Sequence, residues 1–178
     1  MAAVNFNNLW DAYPKNLLAK EVYELVGGEA WDLYQSDPIM YANACALRMS
    51  EACNKGGMII HSGSDVDTGY RVKGKILDYE TLPGRNYYAY YVRVKDMITF
   101  FEKRLGRPSN KFTLFTRPSV RAVDGRNFQN RQGVMVFKIP FSDATGHVAL
   151  WNGSNFADGS NDDYFKHSNL TEILFWEL

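Results

Sequence analysis

Apolar residues recur at helical spacing in three stretches of the chain and crowd into short runs in its last third. In "NLLAKEVYELVGG", Leu17, Leu18, Val22, Leu25 and Val26 form one stripe ahead of a Gly-Gly stop. In "VRVKDMITFFEKRLGRP", Met97, Ile98, Phe101 and Leu105 share a face, and Gly106 then Pro108 end it. Between them, "YANACALRMSEACNKGG" carries Cys45, Met49 and Cys53 at spacings of four, a packed stripe closed by Gly56 and Gly57. Two starts compete for this middle helix. Asn43 as cap puts Cys45 in the first turn. Asp37 as cap, with Pro38 at the first helical position, puts Cys45 mid-helix.

The period then changes. "GVMVFKI", "GHVALWNG" and "EILFWEL" are short β-branched or aromatic runs separated by Gly, Asn, Asp and Ser, which predicts antiparallel strands. "SGSDVDTGY" and "GSNFADGSNDD" read as loops. Helices first and strands afterwards, with no repeat or linker, predict one α+β domain over residues 1–178.

Composition narrows the function classes. An apolar fraction of 46% and a charged fraction of 22% in 178 residues suit a folded domain with a sizeable core. Zero net charge gives no overall pull toward nucleic acid. Residues 71–131 do hold 14 Lys/Arg against 5 Asp/Glu, offset by 6 against 15 in the flanks, a bias with no assigned role. No run approaches the roughly 18 apolar residues of a membrane span, so no membrane insertion is expected. The opening "MAAVNFNNLWDAYPKN" lacks a basic start followed by an apolar run. The chain is therefore expected to be made in the cytoplasm without a signal peptide, and to need another carrier if it acts elsewhere.

Two cysteines raise the question of chemistry. In the first turn of a helix, unpaired N–H groups and the helix dipole favour a thiolate at Cys45. Cys53 lies eight residues on, about 12 Å along the helix at 1.5 Å per residue, too far for a disulfide. It is assigned to the core. Of three histidines, His147 opens the strand "HVALW" after a glycine; His61 ends the apolar run "MIIH"; His167 sits in polar surroundings. His147 is the preferred base, with His61 its competitor. Asp158 follows His147 by eleven residues across "NGSNFADGS", and Asp162, Asp163, Asn152 and Asn155 are also close, so spacing leaves the orienting group open. There is no CxxC, no HExxH and no phosphate loop. Neither a metal nor a cofactor is expected.

"NACALRMSEA", then "GHVALWNGSNF", then an Asp just beyond resemble the type VI secretion amidase effectors, in particular their fourth subfamily. The segment "YYVRVKDMITFFEKRLG" and the Trp near the C-terminus fit as well. The resemblance favours Asn43 as the helix start. It implies a papain-like, NlpC-type fold, with a Cys-bearing helix packed on an antiparallel sheet bearing the His. By position it makes Cys45 the nucleophile, His147 the base and Asp158 the orienting acid. It implies an antibacterial toxin that passes through the type VI apparatus into the periplasm of a target cell. There it would cut the γ-D-glutamyl–meso-diaminopimelate bond of peptidoglycan peptides through a thioester. A cognate immunity protein would protect the producer. The Cys45 backbone N–H is the candidate oxyanion donor. Two other classes stay open: a Cys-His acyltransferase or lipid-acting relative, and a non-catalytic wall-binding module with Cys45 as core.

Overall fold

Among the described residues, ten helices and strands are arranged around one buried helix. The computed structural model describes residues 4–61, 69–77, 87–114, 123–140, 145–160 and 164–178. In chain order the elements are α1 (Phe6–Ala12), α2 (Ala19–Val26), α3 (Gly28–Ser36), α4 (Cys45–Lys55), β1 (Arg71–Lys73), β2 (Ala89–Tyr91), α5 (Val94–Leu105), β3 (Asn110–Thr113), β4 (Gly133–Lys138), β5 (His147–Trp151) and β6 (Glu172–Glu177). Short 3₁₀ turns occupy Gly125–Phe128 and Tyr164–Lys166.

Helix α4 is the hub. Every residue from Cys45 to Asn54 except Arg48 is buried, so the helix has no solvent face. One side, with Cys45, Met49 and Cys53, packs on Val134, Val136, Val148, Leu150 and Trp176 of the sheet. The other, with Leu47, packs on Val22, Tyr23, Val72 and Tyr90 of α2 and the β1–β2 pair. The buried polar residues of α4 all have partners, as burial demands. Ser50 Oγ donates to the Tyr91 carbonyl and accepts from the Tyr91 N–H. Asn54 donates to the Ala89 carbonyl, and Tyr90 donates to Glu51. The Ser50 and Asn54 bonds satisfy backbone groups of β2.

The larger sheet is antiparallel, in the order β3-β6-β4-β5. Its far face carries an aromatic layer in which Phe128, Phe137, Phe165 and Phe175 meet at centroid distances of 5.0 to 5.9 Å. With α4 on one face and this layer on the other, β4 is buried throughout from Gly133 to Phe137 and β5 along its whole length. The strict in/out alternation that a half-exposed β5 would show is therefore missing. The α+β class that the sequence pattern predicts and the helix packed on an antiparallel sheet that the resemblance implies are both present.

Loop predictions divide. Most of "SGSDVDTGY", and the last three residues of "GSNFADGSNDD", lie outside the described residues. The described part of the second loop folds back along β5. Trp151 bridges Phe156, Asn152 N–H donates to the Asn155 carbonyl, and Ala157 N–H donates to the Leu150 carbonyl at 2.9 Å. Asn152 shapes this turn, its side chain accepting from the Ser154 and Asn155 N–H groups.

Candidate functional site

Cys45 is the first residue of α4. The cap geometry differs slightly from expectation: Ala44 occupies the cap position, and Asn43, one residue earlier, reaches over it so that its Oδ1 accepts from the Cys45 N–H at 3.1 Å. The rival start at Asp37 exists only as a single turn, in which the Asp37 carboxylate accepts from the Met40 N–H. Capping by Asn43 has a second consequence. The Cys45 N–H, expected to be the oxyanion donor, is already engaged.

His147 opens β5, and Gly146 explains why it can. A Cβ at Gly146 would lie 2.3 Å from the Phe137 carbonyl oxygen, an impossible contact. Only glycine lets the new strand start this close to β4, which pairs His147 with Phe137. The fold-back of residues 152–157 along β5 then returns Asp158 to the head of the same strand. The His147 Nε2–H donates to Asp158 Oδ2 at 2.8 Å, with both side chains almost fully buried. The Ser160 N–H donates to the other carboxylate oxygen at 3.0 Å. The Cys45 side chain is the other polar group acting on the imidazole. With Nε2 committed to Asp158, Nδ1 is the nitrogen left for the sulfur. Tyr164 stacks on the imidazole, with 4.1 Å between centroids and 13° between planes.

The electrostatics follow from these contacts. Burial alone would push His147 down, since it penalises the imidazolium. The hydrogen bond to Asp158 and the electrostatic interactions with Cys45 and Asp158 outweigh burial and raise its pKa to about 9. Burial would raise Asp158, but the His147 hydrogen bond and charge, with the Ser160 N–H, hold it below the usual carboxylate range. The folded site thus keeps a protonated ring between a carboxylate and a sulfur.

The other candidates fall away from this cluster. Ile60, beside His61, donates its N–H to Asn54 at the last turn of α4, so His61 sits at the opposite end of the helix from Cys45. His167 is half-buried and accepts from the Asn169 N–H, closing a local turn. Asp162 and Asp163 lie outside the described residues. Cys53 is fully buried, and burial pushes its thiol far above the ordinary range. Among the described residues no cluster of three or more His, Cys, Asp or Glu is placed to hold a metal ion, and no helix is long and apolar enough to cross a membrane.

Three neighbours of the cluster carried no signal in the sequence. Tyr164 lies in a short 3₁₀ turn with no period. Arg48, one turn beyond Cys45, donates to the Pro14 carbonyl at 2.8 Å and to the Leu17 carbonyl. Tyr13, which ends α1, belongs to the same buried cluster as Cys45. A polar residue of α4 answering a kinked segment near the N-terminus is visible only in three dimensions.

A helix bearing a cysteine at its start, packed on an antiparallel sheet whose edge strand opens with histidine, defines a papain-like, NlpC-type fold. The chain belongs to the family described as type VI secretion system amidase effector protein 4, Tae4, whose model matches residues 41–176. The match contains Cys45, His147 and Asp158. Among solved structures, the Tae4 effector from Salmonella typhimurium, in complex with the immunity protein Tai4 from Enterobacter cloacae, is 27% identical with a TM-score of 0.74. The match covers 99% of each chain. The effector of the Tae4–Tai4 complex from Enterobacter cloacae is 27% identical at a TM-score of 0.70, again over 99% of each chain. The Tae4 effector from Enterobacter cloacae alone is 28% identical at 0.68, over 99% of this chain and 97% of the other. No curated protein sequence matches significantly.

Proposed function

We propose that this amidase effector is a cysteine amidase that hydrolyses the γ-D-glutamyl–meso-diaminopimelate bond of peptidoglycan stem peptides. The observation that carries the reading is the His147 ring, held between Asp158 and the Cys45 sulfur at the start of α4. The bond is the one implied by the family resemblance.

The proposed steps use these three residues. The Cys45 thiolate attacks the amide carbonyl carbon, forming a C–S bond and moving the π pair onto oxygen. The intermediate collapses by breaking the C–N bond, and His147 gives its proton to the leaving amine. Neutral His147 then removes a proton from water, which attacks the thioester and releases the thiolate. Asp158 fixes the ring and stabilises its charged form throughout. Helix α4 contributes the positive end of its dipole to the thiolate.

The family assignment supports delivery by the type VI apparatus and action in the periplasm of the target cell. The Tae4–Tai4 complexes support a cognate immunity protein as partner. Digestion of purified muropeptides, followed by mass analysis, tests the reaction. Products whose masses together exceed the substrate by one water, split between D-glutamate and diaminopimelate, are expected. Cleavage at another bond would overturn the bond assignment, and transfer to a non-water acceptor would point to the acyltransferase class.

A further inference from the structure

Tyr13 is 3% exposed, and its buried hydroxyl has no hydrogen-bond partner in the structure. A buried hydroxyl left unpaired is destabilising, and such groups are rare enough to need a reason. The surroundings supply one. Tyr13 lies in the same packed cluster as Cys45 and as Ala157, the residue before Asp158. The segment behind it is fixed at both ends of the site. Arg48 of α4 holds the Pro14 and Leu17 carbonyls. Asn16 takes a left-handed backbone (φ 58°), and its side-chain oxygen lies 3.9 Å from where a Cβ on Gly159 would sit. Residues 13–17 thus form a wall joining the cysteine helix to the aspartate loop.

Cleavage of an amide needs a donor for the oxyanion, and the expected one, the Cys45 N–H, is committed to Asn43. We propose that the Tyr13 hydroxyl is a catalytic hydrogen-bond donor that stabilises the oxyanion formed when Cys45 attacks the substrate carbonyl. The inference rests on the cysteine amidase reading given above. Tyr13 stays a neutral phenol: burial first, then the nearby Asp158 and Cys45 charges, hold its ionisation well above the ordinary range. It therefore donates a hydrogen bond without giving up its proton. When the intermediate collapses, the electron pair returns from oxygen to carbon, the C–N bond breaks, and the proton on the leaving amine comes from His147. A donor unpaired in the resting enzyme and paired only in the transition state spends all of its interaction on rate.

The decisive variant is Tyr13→Phe, which keeps the ring and removes one oxygen. For purified muropeptide, kcat should fall about 10- to 1,000-fold, as when one oxyanion donor is lost elsewhere, with KM changed by no more than a few-fold. The melting temperature should hold or rise, because an unpaired buried hydroxyl has gone. Alkylation of Cys45 by iodoacetamide builds no oxyanion, so its rate should stay within about twofold of wild type. Wild-type kcat in Tyr13→Phe would overturn the proposal. So would a loss of kcat accompanied by a lower melting temperature or slower alkylation, since that marks a packing role. Cys45→Ala measured alongside separates the two levels. If Cys45→Ala is inactive and Tyr13→Phe is normal, only the Tyr13 role fails; if Cys45→Ala cleaves, the cysteine amidase reading fails and the Tyr13 role fails with it.

Discussion

The two ends of α4 each carry a cysteine on the same side of the helix, and they have opposite surroundings. Cys53 is fully buried among apolar side chains near the C-terminal end, where burial makes its thiol very hard to ionise. Cys45 sits at the N-terminal end beside a protonated imidazole and a carboxylate. Residue type and helix are shared, so the contrast isolates the environment. On the proposed reading, a thiol becomes chemistry where the chain brings a helix start, a strand start and a returning loop to one point.

The largest effect expected from breaking this contrast is at Cys45. Cys45→Ala should abolish muropeptide cleavage while leaving far-UV circular dichroism and melting close to wild type, because alanine is a good helix former. Wild-type turnover in this variant would refute the cysteine reading outright.

Next in size is the carboxylate. Asp158→Asn should lower turnover by roughly 10- to 1,000-fold, less than the ~10⁴ of the serine-protease case, because papain-like enzymes work with a neutral Asn here. His147→Ala should cost at least as much. Steady-state kinetics on one purified muropeptide compares them, and a milder effect at His147 than at Asp158 would reverse their roles.

The pH dependence sharpens the same contrast. The folded site raises His147 from an ordinary 6.5 to about 9. Proton donation to the leaving amine is present below that value and lost above it, so activity should fall with a midpoint near 9, about tenfold per further unit. The linked stability has the same sign. It is fully present below about 6.5 and is lost as pH rises through about 9. An alkaline limb nearer 6.5 would show that Asp158 and Cys45 do not hold the proton on the ring.

The smallest effect is at the far cysteine. Cys53→Ser should turn over muropeptide nearly normally while losing about 1–3 kcal/mol of stability, the cost of burying a hydroxyl among apolar groups. Urea denaturation with a parallel activity assay separates the two quantities.

The sequence showed the long periodic elements and missed the short ones for physical reasons. α2, α4 and α5, with β4, β5 and β6, have enough turns or consecutive apolar residues for the period to be visible. β1, β2 and β3 have three or four residues each, too few to display one. α1 is seven residues long and begins where the Asn5 side chain accepts from the Asn7 N–H. α3 buries only Ala30, so its periodic signal is weak, and it starts at Gly28 inside what reads as a stop. At the site, Gly146 ahead of His147 was legible because strand starts leave local marks. Tyr164 was not, because stacking on a ring seventeen residues away has no period. The oxyanion expectation missed that the Asn43 side chain serves both as cap and as occupant of the Cys45 N–H.

The fold-back of residues 152–157 has a consequence for solubility as well as for chemistry. Among the described strands β5 lies at one edge of the sheet, and the loop that returns Asp158 to His147 covers part of its outer backbone, through the Ala157 N–H and the Trp151–Phe156 bridge. An uncovered strand of this apolar character would recruit strands from other copies of the chain. The segment that sets the aspartate is therefore also a guard against self-association. Damage to it should be seen as turbidity at high protein concentration, in step with the loss of cleavage.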